Sequence, residues 1–551
     1  MTKIIELRPD KRLLNTNFQK YQFSAGTSPV IFERSLNHDV LRIEPNSTQD
    51  SWLEARLFAF HNHLFRNHFD NTCWFIDDTR GVWRLKINGT LDLIYTLKAV
   101  DENHAIPLYN PSIGFASENI IIISNGSNTL DVLFIESMGT AKPIELYKVD
   151  AGVLLDVEYV VDTSTIIIAL CNILDFEGKK CSNLNILWYL CEYKDNCLEN
   201  LKLTHKQVLR VKGVIDYVKV ENNGNYLHIV SQDSAIFEYD SINPIDKEKT
   251  QHKNVSEIKI PKYCWSQDED TLTVWIKVPQ HIDKKLITVD ITASSLSIKL
   301  KDTILIEGDT QYRLDPELTT WSRESDSLKV DLVKYESGQM WNELIKGDIG
   351  GECLPNETLA AEIHSRLAHL CTDQPEREGQ SAIGFNAEQL EECDLQGRDN
   401  FLQRLDLKSH KVIHLAMLGT SNHILFTIKL KSSQILCLRH EHDACIWMPG
   451  EVENDHWRFK HIYTFPGFGY VEAGKTNKKF CVSPPAGTYV AIVEHTRHSF
   501  LYDRPENGSP VAKQQIVDLG PDTSPIMGAV ATNKYLILLT KDKLYQLEIK
   551  F

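Results

Sequence analysis

What this chain lacks narrows its function before any motif is considered. Its 551 residues contain no run approaching the ~18 apolar residues of a membrane-spanning helix. The opening MTKIIELRPDKRLLN carries charge but no apolar core of signal-peptide length. Basic charge is in deficit: 59 Lys and Arg stand against 75 Asp and Glu, a formal charge of −16. Broad binding to nucleic acid or to an anionic membrane requires basic patches, so neither is expected as a partner. The 12 cysteines form no C-x-x-C pair, and in a long chain without a secretory leader they are expected as reduced thiols. A protein of the cytoplasm, the nucleus or both is the expectation.

The short signatures of common enzymes are missing too. There is no G-x-x-x-x-G-K-[ST], no G-x-S-x-G and no H-E-x-x-H. Gly467-x-Gly469 lacks the third glycine and the following helix of a dinucleotide site. Cys437, His440, His442 and Cys445 lie close together, but their spacing fits no common structural zinc pattern. In a continuous strand the two cysteines would point away from the two histidines. No metal and no cofactor is therefore expected. His61, His63 and His68, beside Phe58, Phe60, Phe65 and Phe69, read as a helix or loop that packs its aromatics with the histidines at its polar edge.

What is present is strand pattern. Apolar runs that pass through a short polar turn into a second run recur at 73–87, 120–135, 226–240, 489–503 and 535–549. Their turns hold Asp, Asn, Gly, Ser or Lys, as tight hairpins require. Repeated hairpins of this kind resemble the inner strands of propeller blades, although no Gly-His…Trp-Asp signature marks each repeat. A stacked array of β-sandwiches is the plainer alternative.

A different pattern fills 263–352. Leu272, Val274, Ile276 and Val278 alternate with Thr273, Trp275 and Lys277, the period of a strand with one buried face. Leu296, Ile298 and Leu300 repeat it, as do Leu328, Val330 and Leu332, and the polar SRESDS after Trp321 predicts a hairpin. These strands predict a compact sandwich. The expected fold is thus all-β, a degenerate propeller with the sandwich inserted. Without 257–352 the chain keeps 455 residues, and at about 40–50 residues per blade seven blades is the natural count, with six or eight also open. The expected parts are 1–256 and 401–551 as two portions of one ring, 257–352 as the sandwich, and 353–400 as a helix and acidic linker. Three separate domains in series is the competing arrangement. Leu359, Ile363, Leu367 and Leu370 share one helical face in that connector, expected to pack on a neighbouring domain.

The sandwich residues also carry a resemblance. Tyr263-x-Trp265-x-Gln267, Val278-Pro279, Leu300-Lys301, Glu307-Gly308, Asp315 and Thr320-Trp321 stand in the order of the CS domain of the NudC and p23 group. The closing Trp341-x-x-Leu344-x-x-Gly347-Asp348 is similar to the NudC form of that domain. AEIHSRLAHL, QLEECD, CLRHEHDACIWMP and VAKQQ extend the resemblance to the rest of a NudC-family chain. The apolar tail that follows a p23-type domain is not matched. The resemblance implies a non-enzymatic factor that associates with the Hsp90/Hsc70 chaperone system, acts on client proteins and associates with a DEAH-box RNA helicase.

Residues 257–352 hold 12 Lys and Arg against 18 Asp and Glu, a net −6, which suits a basic partner surface. Trp275 and Lys277, out of phase with the apolar positions, and the acidic turn Asp268, Glu269 and Asp270 are the partner-binding candidates. Trp321 and Trp341 are expected to pack inside. The alternative function is a propeller enzyme with its site in the central channel. A channel lined by convergent acids, histidines or metal ligands would favour it.

Overall fold

The computed structural model describes residues 2–245, 263–353 and 400–551, less short stretches at 25–28, 50, 100–107, 137–140, 148, 177, 196, 279–283, 302, 325–326, 340, 342, 349–350, 420–422, 432, 454–455, 476 and 507. The helix expected over 356–370 and the acidic linker after it lie outside the described residues. The chain divides into two compact units, one of Met1–Ile245 with Gly384–Phe551 and the other of Asp246–Ile383.

The first unit is a seven-bladed propeller. Its seven sheets have inner strands at Phe65–Arg66, Ser112–Phe115, Val153–Val160, Ile215–Val220, Ile424–Lys429, Lys478–Val482 and Ile526–Ala531, which number blades 1 to 7. The run Ile120–Ser124 shows why these sequences build blades. All five residues are buried, because each face of a blade packs on a neighbour. Ile120 and Ile122 enter the core shared with blade 3, while Ile121 and Ile123 enter the core shared with blade 1. Apolar clusters of this kind join every successive pair of blades, and one of them joins blade 7 back to blade 1 through Phe75, Leu85, Met527 and Ile537.

The N-terminal segment seals the ring. Val30–Ser35 pairs antiparallel with the final strand Lys543–Glu548, so blade 7 is built from both ends of the chain. Lys3–Ile5 and Lys20–Phe23 add parallel fifth strands to blades 4 and 6. The hairpins expected at 73–87, 120–135, 489–503 and 535–549 are all present.

The hairpin expected at 226–240 is not. Tyr226–Ser231 pairs with Asn400–Asp406, matching Tyr226 to Asp406 across the insertion. Ile236–Asp240 instead leaves blade 4 and becomes the fifth strand of blade 3, beside Cys197–Val211. Ala235 and Phe237 bury there against Leu209 and Val211, and that packing outweighs local pairing. The second unit is therefore spliced between the second and third strands of blade 4, which excludes three domains in series. Asp240 marks the departure point. Its fully buried carboxylate accepts bonds from His205 (2.8 Å), His410 (2.7 Å), Gln207 (2.6 Å) and the amides of Ile242 and Asn243. His410 follows Asn400–Asp406, so one carboxylate ties the outgoing strand to the returning one.

The second unit is the expected sandwich. A five-stranded sheet contains Tyr263–Gln267, Thr271–Lys277, Leu314–Glu324, Ser327–Lys334 and Gly351–Cys353. A three-stranded sheet contains Ile287–Ile291, Ser295–Leu300 and Thr303–Asp309. Between them lie Trp265, Leu272, Val274, Ile276, Leu296, Ile298, Leu328, Val330, Leu332, Trp341 and Leu344. The family landmarks have mechanical roles. Gln267 bonds both backbone groups of Trp341, at 2.8 and 2.7 Å, and the Tyr263 hydroxyl donates to Asp348 at 3.0 Å. Gly347 takes φ 71°, a left-handed conformation that glycine adopts without strain. Tyr-x-Trp-x-Gln at one end of the sandwich is thereby latched to Trp-x-x-Leu-x-x-Gly-Asp at the other.

Candidate interaction sites

The acidic turn links Tyr263–Gln267 to Thr271–Lys277, and its first residue is committed to the turn itself. The Asp268 carboxylate accepts from the amides of Asp270 (2.9 Å) and Thr271 (2.6 Å) and from the Thr271 hydroxyl (2.8 Å). Burial opposes ionisation of Asp268, but these bonds outweigh it and hold the carboxyl below its ordinary value. Beneath the turn, the buried Lys334 donates to Gln267 Oε1 (3.2 Å), the Asp268 carbonyl (2.6 Å) and the Gln339 carbonyl (2.8 Å). Burial lowers the Lys334 pKa, against the opposing pull of Asp268 and Asp270. The acidic cluster thus serves a buried lysine as well as offering charge to solvent. Glu269 and Asp270 are exposed, and their carbonyls accept from the amides of Gly338 and Lys334 at 2.8 Å each.

Trp275 stands half-buried on the outer face of the five-stranded sheet, opposite Lys329 on one neighbouring strand and Cys264 on the other. The same face carries Thr273, bonded to Asp331 at 2.9 Å, and the Lys329–Asp331 ion pair at 3.3 Å. Trp275 is thus a half-buried aromatic in a polar surround. Lys277 ends the same strand, paired with Ser327; its side chain lies outside the described residues. Five residues of strand separate Trp275 from Asp270, about 16 Å. The structure therefore places the acidic turn at one end of the strand and Trp275 with Lys277 toward the other, rather than in one spot.

Trp341 is buried as expected, whereas Trp321 is 37 % exposed and corrects the expectation that it packs inside. Trp321 lies in the same cross-strand row as Val330, Val274 and Trp265, so it faces the core side. Its strand is the sheet edge, and among the described residues no strand beyond it covers the indole. Leu318 on that edge is 61 % exposed. Hydrophobic alternation identified the row, but nothing local in the sequence marks which strand is outermost.

In the propeller, the three histidines overturn the polar-edge expectation. His61, His63 and His68 are all buried, because the segment that carries them runs along the inside of the ring. Burial pushes His61 down to about 4, and burial with Lys429 and Arg66 pushes His68 down to about 2. A cavity of about 380 Å³ lies in the channel, with Arg66, His68, Asp156 and Lys429 among its lining residues. Asp156 accepts from Lys429 (2.5 Å), Lys219 (3.4 Å) and the Val220 amide (2.9 Å). Burial opposes its ionisation, and the two lysines outweigh burial and keep it charged. Ser483, also in the lining, donates to the Tyr489 carbonyl at 2.6 Å. Asp156 and Ser483 are thus both bonded to neighbouring groups, and burial disfavours the protonated form of His68.

The four zinc-type residues are not brought together. Cys437 enters the core between blades 5 and 6, while Cys445 enters the core between blades 4 and 5. A helix does follow Gly467, contrary to expectation: Gly467 is the N-cap of Phe468–Ala473, and Gly469 lies within that helix. Phe468 is fully buried and starts that turn for packing reasons.

A family model described as the CS domain matches residues 261–334. NudC domain-containing protein 1 of Mus musculus is 30% identical, over 98% of this chain and 98% of its own length. The protein of that name from Xenopus tropicalis is 28% identical with the same coverage of both chains. Among solved structures, the CS domain of the human KIAA1068 protein is 29% identical, covering 16% of this chain and 75% of that one, with a TM-score of 0.15.

Proposed function

Because this chain belongs to the family of NudC domain-containing protein 1, we propose that it is a non-enzymatic interaction scaffold working beside the Hsp90/Hsc70 chaperones on the folding, stability or assembly of client proteins. The observation that carries this reading is the outer sheet face of the CS domain, where Trp275 stands half-buried among Lys329, Asp331 and Thr273. An aromatic with charged neighbours on a rigid sheet is a ready anchor for a protein partner. The net −6 of 257–352 would speed encounter with a basic partner surface and select against acidic ones. The propeller rim supplies a second broad surface, for which a DEAH-box RNA helicase is the proposed occupant. Cytoplasm and nucleus are the proposed locations. The enzyme reading is weakened by the channel lining, where Asp156 and Ser483 are already bonded to other groups.

The test is co-purification with tagged full-length protein, quantified by mass spectrometry, beside the Trp275→Ala variant. Chaperones and clients should fall several-fold with the variant while its melting temperature stays put. Failure to recover any protein with the unmodified chain, together with turnover of a small substrate, would restore the enzyme.

A further inference from the structure

The propeller channel is charged in the opposite sense to the chain around it. Arg66, Lys219 and Lys429 gather there against Asp156 and Glu158, an excess of one positive charge inside a protein of formal charge −16. Arg66 lines the cavity and donates to Asn71 Oδ1 (3.0 Å) and the Lys429 carbonyl (2.5 Å). Among the described residues it has no carboxylate partner, and further N–H groups of its fork remain unused. Lys429 reaches across from blade 5 to Asp156 and the Val157 carbonyl on blade 3, and its charge and that of Arg66 both bear on His68. His68 is 7 % exposed, lines the same cavity, and makes no hydrogen bond among the described residues. Its ring nitrogens are not sealed in the core, so they have room in the cavity for a hydrogen-bonding group.

We propose that Arg66, His68 and Lys429 form a binding site for a compact oxyanion, a phosphate or carboxylate group, inside the propeller channel. The guanidinium supplies a planar donor fork, suited to either group. Lys429 supplies a second positive charge, and the neutral His68 ring supplies a directional hydrogen bond. A cavity of about 380 Å³ admits a small molecule bearing such a group, with Asn62 and Thr427 as polar neighbours and Phe65, Ile428 and Val530 as an apolar wall. A bound anion would offset the excess positive charge and accept a hydrogen bond from the imidazole. The site belongs to the propeller alone and does not depend on the CS domain reading.

Calorimetric titration of the full-length protein with inorganic phosphate and, separately, with succinate, at fixed ionic strength, tests this. Saturable binding of phosphate alone identifies a phosphate ligand, and saturable binding of succinate alone identifies a carboxylate. His68→Ala, which leaves both Arg66 bonds in place, should weaken the bound anion at least tenfold. Arg66→Gln should abolish binding, with near-UV circular dichroism checking that the ring is intact. Absence of saturable binding by both anions, or binding unchanged in a natively folded His68→Ala protein, would overturn the proposal.

Discussion

The propeller and the CS sandwich use the same strands to opposite ends. A blade such as Ile120–Ser124 buries both faces, so its sequence is a continuous apolar run and nothing of it is left for a partner. The sandwich strand Thr271–Lys277 buries Leu272, Val274 and Ile276 and turns Thr273 and Trp275 outward. Two-sided burial makes the ring rigid, with its functional space confined to the channel and the rim. One-sided burial leaves the sandwich a whole sheet face to offer. Under the proposed function, the sandwich face and the ring's rim are the protein-facing surfaces, and the channel is the place for a small ligand.

The largest effects should separate the two units. Ile122→Asp puts an unpaired charge between blades 2 and 3 and should abolish the ring's unfolding transition while that of the sandwich persists; Val274→Asp should do the reverse. Two transitions followed by calorimetry check this, and loss of both in either variant would break the comparison.

Asp240→Ala should be next, costing the ring about 3 kcal/mol in denaturant unfolding, since it strands His205, His410 and Gln207 without their shared acceptor. The sandwich transition should not move.

Acid should weaken the ring by a similar amount at each of two carboxylates. Burial opposes ionisation of Glu221 and Glu472, but His228 and Arg404 for the first, and His423 and Lys478 for the second, hold each down at about 2. A depressed carboxylate stabilises above its unfolded value, near 4.5, and that stability is lost as the pH falls toward 2. Each site should lose roughly 3 kcal/mol across that window. Glu221→Gln should flatten the pH dependence of the ring's melting temperature.

The smallest effect on stability should be Trp275→Ala, within about 1 kcal/mol, because the side chain stands on the outer face; Trp265→Ala, in the core, should cost about 3–5 kcal/mol. A large fall in melting temperature for Trp275→Ala would move that residue from surface to scaffold.

The same contrast explains what could be read in the sequence. Period-two alternation gave the sandwich strands and the outward position of Trp275, because one-sided burial writes itself into local pattern. Four hairpins were legible because both of their strands are neighbours in the chain. The fifth was misread, since Tyr226–Ser231 finds its partner at Asn400–Asp406, beyond the inserted domain, and no local signal reports that pairing. The histidines at 61, 63 and 68 were misplaced for a related reason. Inside a ring, a polar segment with aromatics lines a channel, and only closure through Val30–Ser35 and Lys543–Glu548 reveals that there is an inside. Trp321 shows the remaining gap, since a core-facing residue is exposed when its strand happens to be the edge.

The central structural claim is that the CS domain interrupts a single blade of a closed ring. Native-state hydrogen exchange on the full-length protein tests it most directly, through the amides of Leu227, Ile229, Leu402 and Leu405. The account predicts that these four exchange together, with the free energy of the whole ring, although they stand on either side of the insertion. Early exchange of Leu402 and Leu405 while Leu227 and Ile229 stay protected would contradict it, and would return the two flanks of the insertion to separate folding units.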